Sequence, residues 1–200
     1  LMICINNENT KFVFVMIGII VNMDSHSGCV IIDKERKRIE RFEPYGSNQI
    51  PEFNYNPALL DNKLSDYFST LINYTYVSPE HYLPQIGFQY YDSSESDKCI
   101  GDPLGFCAVW SVWYIDLRLT HQHIDSKSLV HKTIKKIQKQ RTGFRILMRN
   151  YTKNVINVRD DLLGGININD WYNERYSKRQ LKKVIDNITD KFNTLYKKTT

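Results

Sequence analysis

The sequence predicts an α+β fold: strands with one helix in the front half, helices behind. Three observations predict it. Residues 12–43 hold apolar or alternating runs broken by polar turns. Residues 106–119, "FCAVWSVWYIDLRL", are apolar nearly all round, as a buried helix requires. From about residue 125 the apolar positions recur at helical spacing only.

The elements follow in order. "FVFVMIGIIV" (12–21) is rich in Val, Ile and Phe and reads as a buried strand; ten residues are too few to span a bilayer, which needs about 20. "GCVIID" (28–33) is a second strand, "KERK" a charged hairpin turn, and "RIERFE" (38–43) a third strand. In that third strand Ile39, Arg41 and Glu43 alternate with Glu40 and Phe42. "PYGSNQIPEFNYNP" has loop composition. "ALLDNKLSDYFSTLINY" puts Leu60, Leu64, Tyr67, Phe68, Leu71 and Ile72 on one helical face. "EHYLPQIGFQYY" reads as an irregular or edge strand, because of its Pro and Gly. The helix after it stops near Thr120. "DSKSLVHKTIKKIQKQ" is a basic amphipathic helix with Leu129, Ile134 and Ile137 inward. "GFRILMRNYTKNVINVRDDLLGG" is another, closed by glycines. "DWYNERYSKRQLKKVIDNITDKFNTLYKK" is the last. There is no internal repeat. The expected organisation is a core over 1–124 and a helical region over 125–200, forming a single globular unit.

Composition narrows the function. A hydrophobic content of 42% suffices for a core. A net charge of +5 falls short of the clustered basic face that nucleic acid requires. Neither a nucleic-acid nor a membrane partner is expected. The four cysteines are widely spaced, with no C-x-x-C and no Cys/His knuckle, so no zinc site or other metal or cofactor is expected. Free thiols suit a cytoplasm-like compartment.

The chemistry gathers at three positions. Cys107 opens the buried helix, where the positive end of the helix dipole favours a thiolate, the attacking species. A nearby imidazole would lower the thiol pKa further, and a carboxylate on the other ring nitrogen would fix its tautomer. His26 and Glu43 stand at the outer ends of two strands joined by a hairpin, which makes them neighbours. Cys99, in "DKCIG", is the rival nucleophile, but no helix pattern starts there.

The order His, acid, Cys resembles one clan of cysteine peptidases, which includes adenovirus protease (adenain) and the ubiquitin-like-protein (SUMO) proteases. "FEPYG" resembles the phenylalanine-acid-proline-aromatic-glycine stretch of the adenovirus enzyme. "VIIDKERKRIERFEP" resembles the hydrophobic-Asp-charged-turn-strand of the SUMO proteases. The likeness covers about the middle half of the chain. It implies a central mixed sheet with the nucleophile at the N-terminus of a buried helix. It implies Cys107 as nucleophile, His26 as general base, Glu43 as its orienting acid, and a glutamine for the oxyanion hole. The family's glutamine falls six or seven residues before the cysteine, where Ile100 and Gly101 stand. Gln89 is the favoured candidate and Gln85 the other. The family's Trp after the His is Ser27 here, and the residue after the nucleophile is Ala108.

The resemblance implies a viral or intracellular-pathogen deubiquitinase or isopeptidase whose partner is ubiquitin or a ubiquitin-like protein. Three alternatives stay open: a protease acting on viral structural proteins, an acetyltransferase of the same triad order, and a non-catalytic modifier-binding module.

Overall fold

In the computed structural model the chain is described over residues 1–51, 53–96, 105–140 and 142–196. It is α+β, with a small mixed sheet and several helices. Two compact units divide it, residues 1–148 and 149–200. The expected boundary at 124/125 therefore falls inside the first unit.

The first unit begins with a short helix, α1 (Met2–Asn6), that the sequence pattern did not announce. Strand β1 (Phe12–Val21) pairs antiparallel with β2 (Asp24–Asp33), and β2 with β3 (Arg38–Phe42). β2 starts four residues earlier than its apolar run suggests. Asn22 takes the left-handed conformation (φ 56°), so a two-residue hairpin joins β1 to β2 and "DSHS" is strand. His26 thus sits within β2, opposite Ile19.

Helix α2 (Pro57–Leu71) is capped by Asn56, whose side chain accepts from the Leu59 N–H at 3.0 Å. It buries less than its apolar stripe promises. Phe68 is buried and Leu64 packs beside it, whereas Tyr67 is exposed. Strand β4 (Thr75–Val77) adds parallel to β3 and completes the order β1-β2-β3-β4. Three residues give too short a run to be legible as a strand.

The segment expected to be an irregular strand, "EHYLPQIGFQYY", is instead a 3-10 turn (Pro79–His81) followed by α3 (Phe88–Ser94). Pro84 and Gly87 end the first piece before the second begins, and the short helical run between them and the loop hides its own period. Next come α4 (Cys107–Thr120) and α5 (Ser126–Lys139), both where the periodicity placed them.

The sheet is sandwiched because its two faces are both apolar. Val30, Ile32, Ile39 and Phe68 form one buried cluster. On the other face Phe42 stacks on Tyr114 of α4, with ring centroids 3.9 Å apart and an interplanar angle of 7°. Phe88 stacks on Trp110 at 5.3 Å. α5 belongs to this unit: Leu129, Val130 and Ile134 are buried, and Ser126 Oγ donates to the buried Glu40 Oε1 at 2.6 Å.

Helix α6 (Gly143–Leu163) begins in the first unit, where Glu95 accepts from the N–H groups of Phe144 and Arg145 at 2.7 and 2.9 Å. Gly164 closes it at φ 58°, donating to the carbonyls of Asp160 and Asp161. In the second unit the expected single last helix is two, α7 (Ile168–Tyr172) and α8 (Lys178–Tyr196). Glu174 at φ 53° marks the break. Leu163, Ile166 and Val184 are its buried centre, and Trp171 stacks on Tyr176 at 4.8 Å.

Candidate active site

β3 stops at Phe42, opposite Cys29, so the stretch of β2 that carries His26 has no β3 neighbour. The His26 ring meets Glu43 just past the end of β3. Its Nε2 lies 2.7 Å from Glu43 Oε1, and both side chains are buried. The same ring also acts on the Cys107 thiol, and each of the two groups shifts the pKa of the other. Tyr45 and Phe53 flank the ring, each with a centroid distance of 5.9 Å.

Cys107 is the first residue of α4, whose N-cap position, Phe106, offers no side-chain cap. The N–H groups of that first turn face an anion at the helix start, and that of Ala108 favours the Cys107 thiolate. Burial pushes the thiol up, but hydrogen bonding to His26, the charge of that ring and the backbone N–H groups of Ser27 and Ala108 outweigh it. The net result is a pKa below the ordinary value. For His26, burial favours the neutral ring, yet hydrogen bonds to Cys107 and Glu43 and their charges raise it to about 9. A raised imidazole and a lowered thiol both shift the balance toward the thiolate–imidazolium form of the pair.

Cys29 is the internal contrast. It is fully buried beneath α4, and desolvation drives its thiol far above the usual range. Brief iodoacetamide treatment of the native protein at pH 7 is expected to alkylate Cys107 and to leave Cys29 unmodified, as peptide mass mapping would show. The rival Cys99 lies outside the described residues, as do Ile100 and Gly101.

Gln89 and Gln85 separate clearly. Gln85 is exposed in the turn before α3. Gln89 is buried in the first turn of α3, not at a strand end, and its Oε1 has no hydrogen-bond partner among the described residues. Its Nε2 lies so close to Gly105 that a Cβ there would come within 3.0 Å. The amide thus sits beside the chain that leads into Cys107.

The backbone explains why Gln89 and Glu43 keep a fixed relation. Gln89 N–H donates to Pro44 O at 2.9 Å, Gly87 N–H to Tyr45 O at 2.6 Å, and Ser47 N–H to Pro84 O at 2.9 Å. Gly46 and Gly87 meet at this seam. A Cβ on Gly46 would lie 2.6 Å from both Gly87 N and Pro84 O, and Gly46 has φ 107°. The glycines of "PYG" and "IGF" exist so that two backbones can touch.

Four residues around Glu43 escaped the sequence reading. Tyr45 N–H donates to Oε1 at 3.2 Å, and the Tyr55 hydroxyl and Arg41 Nη1 each reach Oε2 at 3.4 Å. Asp61 of α2 pairs with Arg41. The signal was present in the alternation of Ile39, Arg41 and Glu43. An arginine on the buried face of a strand must find a carboxylate.

Among the described residues no group of three His, Cys, Asp or Glu side chains is placed to hold a metal ion. No helix among them is long and apolar enough to cross a membrane.

No family model matches the chain. It is 38% identical over 192 residues to a putative ankyrin repeat protein of Acanthamoeba polyphaga mimivirus. The match takes in 90% of this chain, and the chain spans about a quarter of the length of that relative (25%). This corrects the expectation of a ubiquitin-directed cysteine protease or isopeptidase, together with its alternatives of structural-protein processing, acetyl transfer and modifier binding. The similar protein is described by its repeats, and its description names no proteolytic activity. A likeness in motif and element order led to a substrate and a reaction that this comparison does not support.

Proposed function

We propose that the chain carries a nucleophilic thiol site in which Cys107 attacks an acyl donor and forms a thioester. The carrying observation is the buried contact of His26 with Glu43 at 2.7 Å, with Cys107 at the start of α4 held below its ordinary pKa by that same ring. In this reading the adenain-type arrangement of sheet and helix is kept as architecture, without the activity first attached to it. Support comes from the order of β2, β3, α2, β4, α3 and α4 around the three residues.

The chemistry runs as follows. The Cys107 thiolate attacks the carbonyl carbon of an acyl donor, forming an S–C bond as the carbonyl electrons move onto oxygen. The N–H groups at the start of α4 and the Gln89 side chain stabilise that oxyanion. The bond to the leaving group breaks, and the His26 imidazolium donates its proton to that group. Neutral His26 then takes a proton from the acceptor that attacks the thioester, and the thiolate is restored. Glu43 holds the ring in register throughout. Free Cys4, Cys29 and Cys107 suit a reducing compartment such as the cytoplasm.

A p-nitrophenyl ester tests the proposal. A stoichiometric burst of nitrophenolate, with the acyl group mapped to Cys107 and lost in Cys107→Ser, is the expected result. Equal hydrolysis by wild type and Cys107→Ser refutes it.

The repeat-protein relative favours a second reading, in which the chain is a protein-interaction part of a longer molecule. The chain itself has a four-stranded sheet, and its sequence lacks the period of about 33 residues that marks ankyrin repeats. Absence of the burst, with binding to a partner unaffected by Cys107→Ser, would select this second reading.

A further inference from the structure

We propose that Arg41, gripped by Asp61, is a positioning residue that fixes the Glu43 carboxylate and, through it, His26. The proposal rests on the thioester reading above. Arg41 lies in β3 and Glu43 is the first residue past its end; they are two residues apart, both are buried, and Arg41 Nη1 reaches Glu43 Oε2 at 3.4 Å. The two oxygens of Glu43 have separate tasks. Oε1 takes His26 Nε2 and the Tyr45 N–H, while Oε2 takes Arg41 Nη1 and the Tyr55 hydroxyl. Rotation of the carboxylate would break all four contacts.

Arg41 is itself held on the far side. Its Nε and Nη2 donate to Asp61 Oδ1 and Oδ2 at 2.7 and 3.0 Å, a two-pronged contact that only a guanidinium makes. Tyr76 of β4 donates its hydroxyl to Asp61 Oδ1 at 2.7 Å, and the Tyr82 hydroxyl donates to Arg41 O at 2.9 Å. The charged and titratable groups around Glu43 are thus His26 and Cys29 from β2, Arg41 from β3, Tyr55 from the loop and, one step on, Cys107 from α4, Asp61 from α2 and Tyr76 from β4. Stability alone does not call for this set, since a buried ion pair is often replaceable by well-packed apolar side chains. Its position directly behind the acid of the site gives it a purpose.

Loosening Glu43 weakens its hold on the imidazolium, and the thiol then ionises at higher pH. The test is the rate of Cys107 alkylation by iodoacetamide as a function of pH in Arg41→Lys, Asp61→Asn and Tyr76→Phe. Arg41→Lys keeps the charge and loses the fork, so it separates geometry from field. The expected result is an acid limb moved upward, with alkylation about tenfold slower in Arg41→Lys at pH values below the limb, as one pKa unit dictates. Tyr76→Phe, the mildest change, should move the limb less and in the same direction. A folded Arg41→Lys with the wild-type profile overturns the inference. Should Arg41→Lys and Asp61→Asn not fold, an unmoved limb in Tyr76→Phe does the same. A wild-type profile already in the ordinary thiol range, unaltered by His26→Ala, would instead reject the underlying thioester reading.

Discussion

Replacing His26 with Ala is expected to slow thioester formation by roughly 10²–10⁴-fold, the usual worth of a positioned acid–base group. Two effects combine. The thiol loses its hydrogen-bonding and charge partner, so desolvation dominates and its pKa climbs back. The leaving group also loses its proton donor. The alkaline side of the wild-type profile carries the same logic. His26 is raised, so the imidazolium is complete below its unperturbed range and is lost as pH rises through about 9. Activity with an ester is therefore expected to fall above about pH 9 in the wild type. It is expected to fall again on the acid side, where Cys107 takes up its proton. The pH dependence of kcat/KM, which reports the free enzyme, checks both limbs.

Replacing Gly46 with Ala is expected to lower the unfolding free energy by about 3 kcal/mol or more, through left-handed backbone strain plus overpacking. The added Cβ would meet Gly87 N, Pro84 O and Gln85 O, all backbone atoms that cannot swing aside. Urea unfolding with an unchanged m-value would report the loss. The variant should also lose thioester formation more than its stability alone explains, since the same seam ties the Glu43 loop to the turn that presents Gln89. An Ala at Gly18, where a Cβ meets nothing within 4 Å, is the matched control.

The parts legible in the sequence were those with a strong period or a pointed residue. α4 announced itself by being apolar all round, and Cys107 by standing at its start. The β2–β3 hairpin brought His26 to Glu43 because a charged turn lay between two apolar runs. What stayed hidden depended on partners distant in the chain. β4 is three residues long and exists only because β3 offers it an edge. α3 looked like a strand because seven residues hold too few turns to show a helical period. The stripe of α2 overstated burial, since only Phe68 is fully enclosed. Arg41 and Asp61 are 20 residues apart, and neither alone hints at the other. The inferred ubiquitin-directed activity failed for a different reason. Motif likeness speaks to geometry at the reacting atoms, and function must be argued from what the site meets.

Ultraviolet absorbance of the thiolate, followed against pH as wild type minus Cys107→Ser, tests the central claim most directly. The account predicts an absorbance step below the ordinary thiol range near pH 8.5, moving up into or beyond that range in His26→Ala. A wild-type step at about pH 8.5 or above, unmoved by His26→Ala, would contradict it.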